Sequence, residues 1–460
     1  MKRREILLIK FICILSFFLY YFAPYGIYPY YCGCVAILYI LDAYFVCRLD
    51  WNKKLYLSFN TLFALSFFLT SFGFAIFVQD TTAETLSVLA GKTVDFNLMP
   101  KCCSLCLIAY SLYSYYYIRK INVTTYSDQA VLSLPKIYSS LAISLFYFSF
   151  IILFIKTFLF FKRTGDINMN EDTFLVSIFQ CMLPVAFIFR NAKRNSHNLI
   201  EFLKNNFVIL LPTILVMALF LIMGDRGIII VCSLTILMVY VLLVKRVNFL
   251  TLGCIAVVGV LLMFAVRQTR ISDSALSSGS FSSFANASNN AFKEADGLIT
   301  FFADLTGAVQ ELCLGYQYKQ QHGMLAPIEQ IVMLPTYPFP LIPTLVASVM
   351  FGKIPSDYGT GEQINNFVSP VGEGHFGNHV VIDIYMRWGI LGVIIIFPIF
   401  GYFIANTTNK MKTDLKYLAI YFVLVGLAVY TPRNTIPFLI RPISYSYFFI
   451  WYLTRKRIVK

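Results

Sequence analysis

Apolar runs of transmembrane length, or slightly shorter, recur along most of this chain and are separated by short polar connections. They lie at about residues 6–22, 30–46, 55–78, 102–118, 137–161, 174–189, 207–223, 228–244, 249–266, 380–404, 417–430 and 436–453. Because about 20 apolar residues in a helix cross a bilayer, the runs predict roughly twelve transmembrane helices. Hydrophobic residues make up 58% of the sequence and charged residues 13%, which a single water-soluble core cannot accommodate. We therefore predict an all-α polytopic membrane protein.

The distribution of lysine and arginine predicts how the helices are oriented. Basic residues concentrate at the N-terminus and on alternate connections, at 48–54, 119–136, 190–194, 245–246, 410–416 and 455–460. Connections rich in Lys and Arg usually lie in the cytoplasm, so we expect both termini there, with the first apolar run retained as a span. The net charge of +14 follows from this topology and requires no nucleic-acid partner.

The apolar pattern is interrupted once, over residues 267–379. The interruption divides the chain into an N-terminal bundle of about nine spans (1–266), a large extracytoplasmic loop (267–379) and about three C-terminal spans (380–460). Part of the loop is apolar but is broken by Pro327, Pro335, Pro338, Pro340 and Pro343. Prolines at this density argue against a straight span, and they favour short helices that lie at the membrane surface or dip into it.

Five arginines gather at the predicted outer ends of the helices, where basic residues are normally depleted. Arg226 lies in a Gly-Asp-Arg-Gly turn between two apolar runs; the others are Arg267, Arg270, Arg433 and Arg441. A guanidinium group stays charged and can bind two oxygens of one phosphate, so the cluster favours an anionic ligand. Two alternatives remain open. Arg226 can belong to a tight hairpin turn and reach the headgroups, or each arginine can pair with a separate carboxylate of the loop.

A second polar pattern begins just before the tenth apolar run, where four ionisable side chains recur at four-residue intervals: His375, His379, Asp383 and Arg387. On a helix this spacing places them along one face. Nearby glycines favour a helix that starts near Asn378 as its N-cap, which leaves His375 in the loop and His379 in the first helical turn. There His379 is a candidate general base, and Asp383 can pair with Arg387.

Two other interpretations of this stripe remain open. Asp383 and Arg387 can form a buried ion pair that only fixes the position of the helix. Alternatively, His375, His379 and Asp383 can bind zinc, but a further ligand is not evident, so we predict no metal. The sequence also contains no Walker-type phosphate loop, so we expect neither ATP hydrolysis nor another cofactor.

The chain resembles a known family in its architecture and in two short motifs. About twelve predicted spans and one large outer loop accompany the Gly224–Gly227 turn. In addition, Asn378-His379 is separated by nine residues from Gly389-Ile390-Leu391-Gly392. These features resemble the Wzy-type polymerases of O-antigen and capsule repeat units, which are related to the O-antigen ligases. Ligase-like members have the histidine first and a small polar residue second, an order that this chain exchanges.

The resemblance implies a membrane glycosyltransferase that uses no nucleotide sugar. It would transfer the growing glycan from undecaprenyl diphosphate to the non-reducing end of a new lipid-linked repeat unit, at the outer face of the bacterial inner (plasma) membrane. The expected partners are this lipid-linked oligosaccharide, membrane lipids and a chain-length-determinant protein. The residues expected to hold the diphosphate are Arg226, Arg433, Arg270 and Arg441.

His379, or His375 instead, would activate the acceptor hydroxyl, and Asp383 would orient that histidine or pair with Arg387. An O-antigen ligase is the nearest alternative, because it shares this chemistry and differs in the acceptor. A lipid-linked oligosaccharide flippase or a secondary transporter is the other alternative. Such transporters are built from two comparable halves, whereas the long interruption makes the second half of this chain markedly different from the first.

Overall fold

The computed structural model describes residues 2–53, 55–77, 94–122, 138–164, 173–191, 196–222, 227–245, 247–248, 251, 253, 308–339, 342–354, 358–368 and 378–455. The regular secondary structure of these residues is entirely helical, and no strand occurs among them. The all-α fold class predicted from the apolar runs is therefore confirmed.

The helices before the long interruption of the apolar pattern are α1 (Lys2–Tyr21), α2 (Pro29–Trp51), α3 (Phe59–Phe68), α4 (Phe74–Phe77), α5 (Met99–Lys120), α6 (Tyr138–Thr164), α7 (Thr173–Asn191), α8 (Leu199–Ile222) and α9 (Gly227–Leu243). A π-helical turn, Leu69–Gly73, joins α3 to α4. The later helices are α10 (Ala308–His322), α11 (Pro327–Met333), α12 (Ile342–Phe351), α13 (Thr360–Val368), α14 (Val380–Lys410), α15 (Leu415–Leu427) and α16 (Ile436–Arg455). The 3-10 turn Leu334–Thr336 follows α11, and the 3-10 turn Thr431–Arg433 precedes α16.

Six helical stretches of the described residues are long and apolar enough to cross a membrane: Pro29–Trp51, Phe59–Ile76, Ser140–Leu159, Phe174–Asn191, Leu199–Leu221 and Val380–Lys410. Three shorter helices are also apolar: Gly227–Leu243, Ile342–Phe351 and Leu415–Leu427. The total of about twelve spans stays a prediction, as do the division of the chain at 266 and 379 and the orientation of the helices. The predicted run at 249–266 lies almost entirely outside the described residues.

The proline-containing stretch forms short helices, as its sequence predicts. Pro327 lies in the first turn of α11, and Pro343 lies in the first turn of α12, where a missing N–H breaks no helical hydrogen bond. Large apolar side chains of these helices are exposed on the surface of the protein: Ile328 is 76% exposed and Val349 is 75% exposed. An exposed apolar surface on short helices fits the predicted position at a membrane surface.

Helix α5 lies at the centre of the helical bundle. Its side chains are buried on nearly every face, and it packs against α1, α2 and α14, as expected of a helix surrounded by other helices. The contact with α14 is close because Gly401 lies against the backbone carbonyl of Tyr113, where a Cβ atom would overlap. Small residues at such crossings allow two backbones to approach. Gly401 therefore fixes the position of α14 against the centre of the protein.

Helix α14 is broken near its start by Gly389, which has φ 65° and ψ −157°. This backbone conformation is essentially restricted to glycine. The sequence predicts one span over 380–404, whereas the break separates a short segment, residues 380–388, from a continuous helix over 390–410. The continuous part alone is about 30 Å long and can cross the hydrocarbon layer. The short segment, which carries Asp383 and Arg387, therefore need not lie within that layer.

Candidate active site

The short segment of α14 begins at Val380, and His379 is its N-cap. His379 has extended backbone angles, and its Nδ1 atom accepts a hydrogen bond from the N–H of Val381 at 3.3 Å. The sequence predicts Asn378 as the cap, and that prediction is wrong by one residue. The Asn378 side chain accepts a hydrogen bond from the Thr360 hydroxyl instead, at 2.8 Å. It is thus committed to α13 and does not cap α14.

The second ring nitrogen of His379 contacts the π-helical turn. Its Nε2 lies 3.1 Å from Oγ of Ser71, and its ring packs edge-on against Phe67 with 5.8 Å between centroids. Because Nδ1 accepts a hydrogen bond, we assign the proton of the neutral imidazole to Nε2, which donates to Ser71. Burial, with the charge of Arg433 as a smaller cause, lowers the pKa of His379 to about 3. His379 is therefore neutral at physiological pH, and both of its nitrogens are occupied.

Asp383 and Arg387 form a buried ion pair one turn apart. The Nε and Nη2 atoms of Arg387 each lie 2.8 Å from Oδ1 of Asp383, and the two side chains are 4% and 0% exposed, respectively. The hydroxyl of Thr360 lies 2.8 Å from Oδ1 of Asp383 as well as from Asn378, so its single proton is shared between the two acceptors, and the N–H of Ile436 donates to Oδ2 of Asp383 at 3.3 Å. The pair therefore joins α14 to α13 and to the start of α16.

The remaining donor group of Arg387 points away from the carboxylate. Its Nη1 atom donates to Oε1 of Gln330 on α11, a side chain that is fully buried. Gln330 in turn donates to the carbonyl of Tyr358 at 3.1 Å. Charged groups are retained in buried sites when their hydrogen-bonding capacity is used in this way. The ion pair thereby holds α11 and α13 next to the short segment of α14.

Two further predicted arginines lie beside this ion pair. Arg433 ends the 3-10 turn before α16, and its charge acts on His379. Its half-buried guanidinium forms no hydrogen bond and no ion pair with the described residues. Arg441, on α16, donates from Nε to the carbonyl of Tyr337 at 3.3 Å. The positive charge of Arg433 is thus available to a ligand, whereas that of Arg387 is balanced by Asp383.

The structure describes four of the seven predicted site residues, namely His379, Asp383, Arg433 and Arg441. Three predicted site residues, Arg226, Arg270 and His375, lie outside the described residues. Among the residues that are described, no group of three His, Cys, Asp or Glu side chains is arranged to hold a metal ion. The zinc site weighed from the sequence includes His375 and therefore also lies outside the described part of the chain.

Sequence reasoning missed the partners that surround the stripe. Ser71 and Gln330 are polar residues within apolar stretches, and Thr360 begins a short helix in a polar stretch. A buried polar residue in an apolar run is the signal that can identify the first two, because such a group needs a hydrogen-bond partner. The sequence does not indicate which residue each of these polar side chains contacts. All three contact the stripe from elements distant in the chain.

Comparison with known proteins gives one match. No curated protein and no solved structure is significantly similar to this chain. The family model described as O-antigen polysaccharide polymerase Wzy matches residues 6–455, which is nearly the whole chain. The matched range includes the residues of the candidate site, from Ser71 to Arg441. The protein therefore belongs to the Wzy family of O-antigen polysaccharide polymerases.

Proposed function

We propose that the protein lengthens a glycan by transferring it from a lipid diphosphate carrier of the undecaprenyl type to a new lipid-linked repeat unit. The transfer takes place at the outer face of the bacterial inner membrane. The observation that carries this proposal is the guanidinium of Arg433, which has no partner among the described residues and lies beside the buried, neutral His379. A cation kept close to the protein interior without a carboxylate partner is suited to an anionic substrate.

The reaction breaks the bond between the anomeric carbon of the donor sugar and the diphosphate oxygen. The diphosphate leaves with the bonding electron pair, and the acceptor hydroxyl oxygen forms the new bond to the anomeric carbon. Fixed positive groups aimed at the departing oxygen stabilise its developing charge. We assign this role to Arg433 and Arg441, joined by Arg226 and Arg270 from the residues outside the described ranges.

The acceptor hydroxyl must lose its proton as it attacks. His379 can accept that proton at Nδ1 only if its hydrogen bond to Val381 opens, because Nε2 already carries a proton. His375 is the alternative proton acceptor. Asp383 does not touch the acceptor in this proposal. Held by Arg387, Asp383 anchors the short segment of α14 and so positions His379.

The test is to replace Arg433 by Ala in a host whose own copy of the gene is deleted. We expect the ladder of long glycan chains on a gel to disappear and single repeat units to accumulate. Arg119→Ala is the matched control, because Arg119 lies exposed at the end of α5 and has no described partner. Arg433→Lys keeps the charge without the two-pronged geometry and should restore only part of the ladder.

Equal amounts of each variant in the membrane fraction would show that the loss is not a folding defect. A full-length ladder from Arg433→Ala would refute the role of Arg433 in binding the diphosphate. Replacing His375 and His379 separately by Gln would identify the proton acceptor. Unchanged chain growth in the double variant would eliminate both histidines from the chemistry.

A further inference from the structure

A second cluster of polar side chains lies on the opposite side of the short segment of α14. Tyr385 follows Asp383 by two residues and so points roughly 200° away around the helix. Its ring stacks on Tyr316 of α10, with 5.0 Å between centroids and an angle of 10°. The cluster is therefore separate from the ion pair of Asp383, although the same nine-residue segment supports both.

The phenol groups of three helices meet in this cluster. The hydroxyl of Tyr20, near the end of α1, lies 3.1 Å from the hydroxyl of Tyr316 and 3.2 Å from that of Tyr385. Each phenol has one proton to donate. Two of the three protons are used in these two contacts, and the third can be donated to a ligand.

Two lysines flank the phenol groups. The Nζ atom of Lys319 lies 3.9 Å from the ring centroid of Tyr385, and the Nζ atom of Lys101 lies 5.5 Å from that of Tyr20. Each ammonium group carries three donors, yet neither makes a hydrogen bond or an ion pair with the described residues. Partial burial lowers the pKa of Lys319. The cluster is thus rich in donors and in positive charge, without a described carboxylate to balance it.

One of these lysines lies beside the break in α14. A Cβ atom on Gly389 would lie 3.4 Å from Nζ of Lys319 and 3.4 Å from Cε of Met324. Both distances are ordinary van der Waals contacts, so the positive φ is what requires glycine here. The ammonium group of Lys319 thus lies next to the backbone at the end of the short segment.

We propose that Lys101, Lys319 and the hydroxyls of Tyr20, Tyr316 and Tyr385 form a second anion-binding site, which takes the diphosphate of the second lipid-linked substrate. This inference rests on the proposed function, because a polymerase of this kind must hold two diphosphate-linked glycans at once. Arg433 and Arg441 bind one diphosphate, and the lysine and tyrosine cluster binds the other. The two sites lie on opposite sides of one helical segment, separated by about one helix diameter, roughly 10 Å.

The experiment counts the diphosphate lipids bound to the full-length protein in nanodiscs of neutral lipid. Undecaprenyl diphosphate is titrated and the bound molecules per chain are measured by native mass spectrometry. We expect two for the unaltered protein, one for the Lys101→Met, Lys319→Met double variant, and one for Arg433→Ala. Inorganic pyrophosphate in a parallel titration shows whether the headgroup alone is enough. Lys204→Met is the matched control, because Lys204 is exposed on α8.

Each lysine replaced alone should weaken binding at its site by about tenfold or more, since hydrogen bonds to charged groups are lost. Lys319→Arg keeps the positive charge and should therefore retain binding. The melting temperatures of the lysine variants are compared with that of the unaltered protein, because equal values show that the loss of binding is not a folding defect. Two lipids bound by the double lysine variant, or only one bound by the unaltered protein, would overturn the second site. Failure of the proposed function gives a different result, because Arg433→Ala would then keep its glycan ladder.

Discussion

Removing one partner of the Asp383–Arg387 ion pair should destabilise the protein far more than removing both partners. In Arg387→Met, the Asp383 carboxylate stays buried and loses two contacts of 2.8 Å, keeping only the hydroxyl of Thr360 and the N–H of Ile436. An uncompensated buried charge of this kind costs about 3–5 kcal/mol of unfolding free energy. Asp383→Asn should cost a similar amount, because it leaves the Arg387 guanidinium unbalanced.

The double variant Asp383→Asn, Arg387→Met buries no charge at this position. Its expected cost is about 1–3 kcal/mol, mainly because the Gln330 oxygen keeps only the long contact from the Tyr337 hydroxyl, at 3.5 Å, and because the other hydrogen bonds are weakened. The two single costs should therefore exceed the double cost by several kcal/mol, which is the coupling free energy of the pair. The assay is reversible unfolding of the purified protein in mixed detergent micelles, followed by circular dichroism.

The pair of Lys353 and Glu329 provides the matched control. Its atoms lie 3.0 Å apart, but the side chains are 42% and 28% exposed. Exposed pairs contribute about 0–1 kcal/mol, so Lys353→Met should change stability little. A coupling free energy below about 0.5 kcal/mol between Asp383 and Arg387 would refute the reasoning, because neither buried charge would then depend on its partner for stability.

Three further predictions follow from the backbone break, the capping histidine and its protonation. Gly389→Ala should lower stability by about 1–3 kcal/mol because of the positive φ; Gly33→Ala, with open space around its Cβ, is the control, and equal melting temperatures would contradict the prediction. His379→Asn can keep the cap but loses the contact of Nε2 with Ser71 and the packing on Phe67, so it should be less stable than the unaltered protein; His379→Ala also loses the cap and should cost about 0.5–2 kcal/mol more than His379→Asn, measured by the same unfolding assay. The pKa of His379 is about 3 in the folded state and about 6.5 in the unfolded state. Between about pH 3 and pH 6.5 the unfolded chain therefore binds more protons than the folded protein does. Stability should therefore fall as pH drops from 6.5 towards 3, by up to about 1.4 kcal/mol per pH unit, and a slope unchanged in His379→Asn would refute this assignment.

Local spacing in the sequence was sufficient to predict the helical class and the position of the ion pair. Asp383 and Arg387 are four residues apart, so any helix brings them together regardless of what surrounds it. The six stretches of sufficient length confirm that the chain contains helices that can cross a membrane. The count of about twelve depends on weaker runs and on residues that the structure does not describe.

Features that depend on distant contacts were not predicted. The sequence gives no reason for Gly389 to break α14, and the residues beside its backbone, Lys319 and Met324, come from a distant part of the chain. The cap falls on His379 because Asn378 is engaged by Thr360, which lies in another helix. The phenol cluster joins helices separated by about 300 residues of sequence, a distance over which no spacing rule applies. These long-range contacts determine how the side chains of the candidate site are arranged.

The central claim is that the guanidinium of Arg433 receives the diphosphate as it leaves the donor sugar. The most direct test measures release of undecaprenyl diphosphate from a synthetic lipid-linked repeat unit by purified protein in nanodiscs. We predict one lipid diphosphate released for each glycosidic bond formed, and a rate that falls by about 10²–10³ in Arg433→Ala, with Arg119→Ala unaffected. Release at the unaltered rate from Arg433→Ala would contradict the claim.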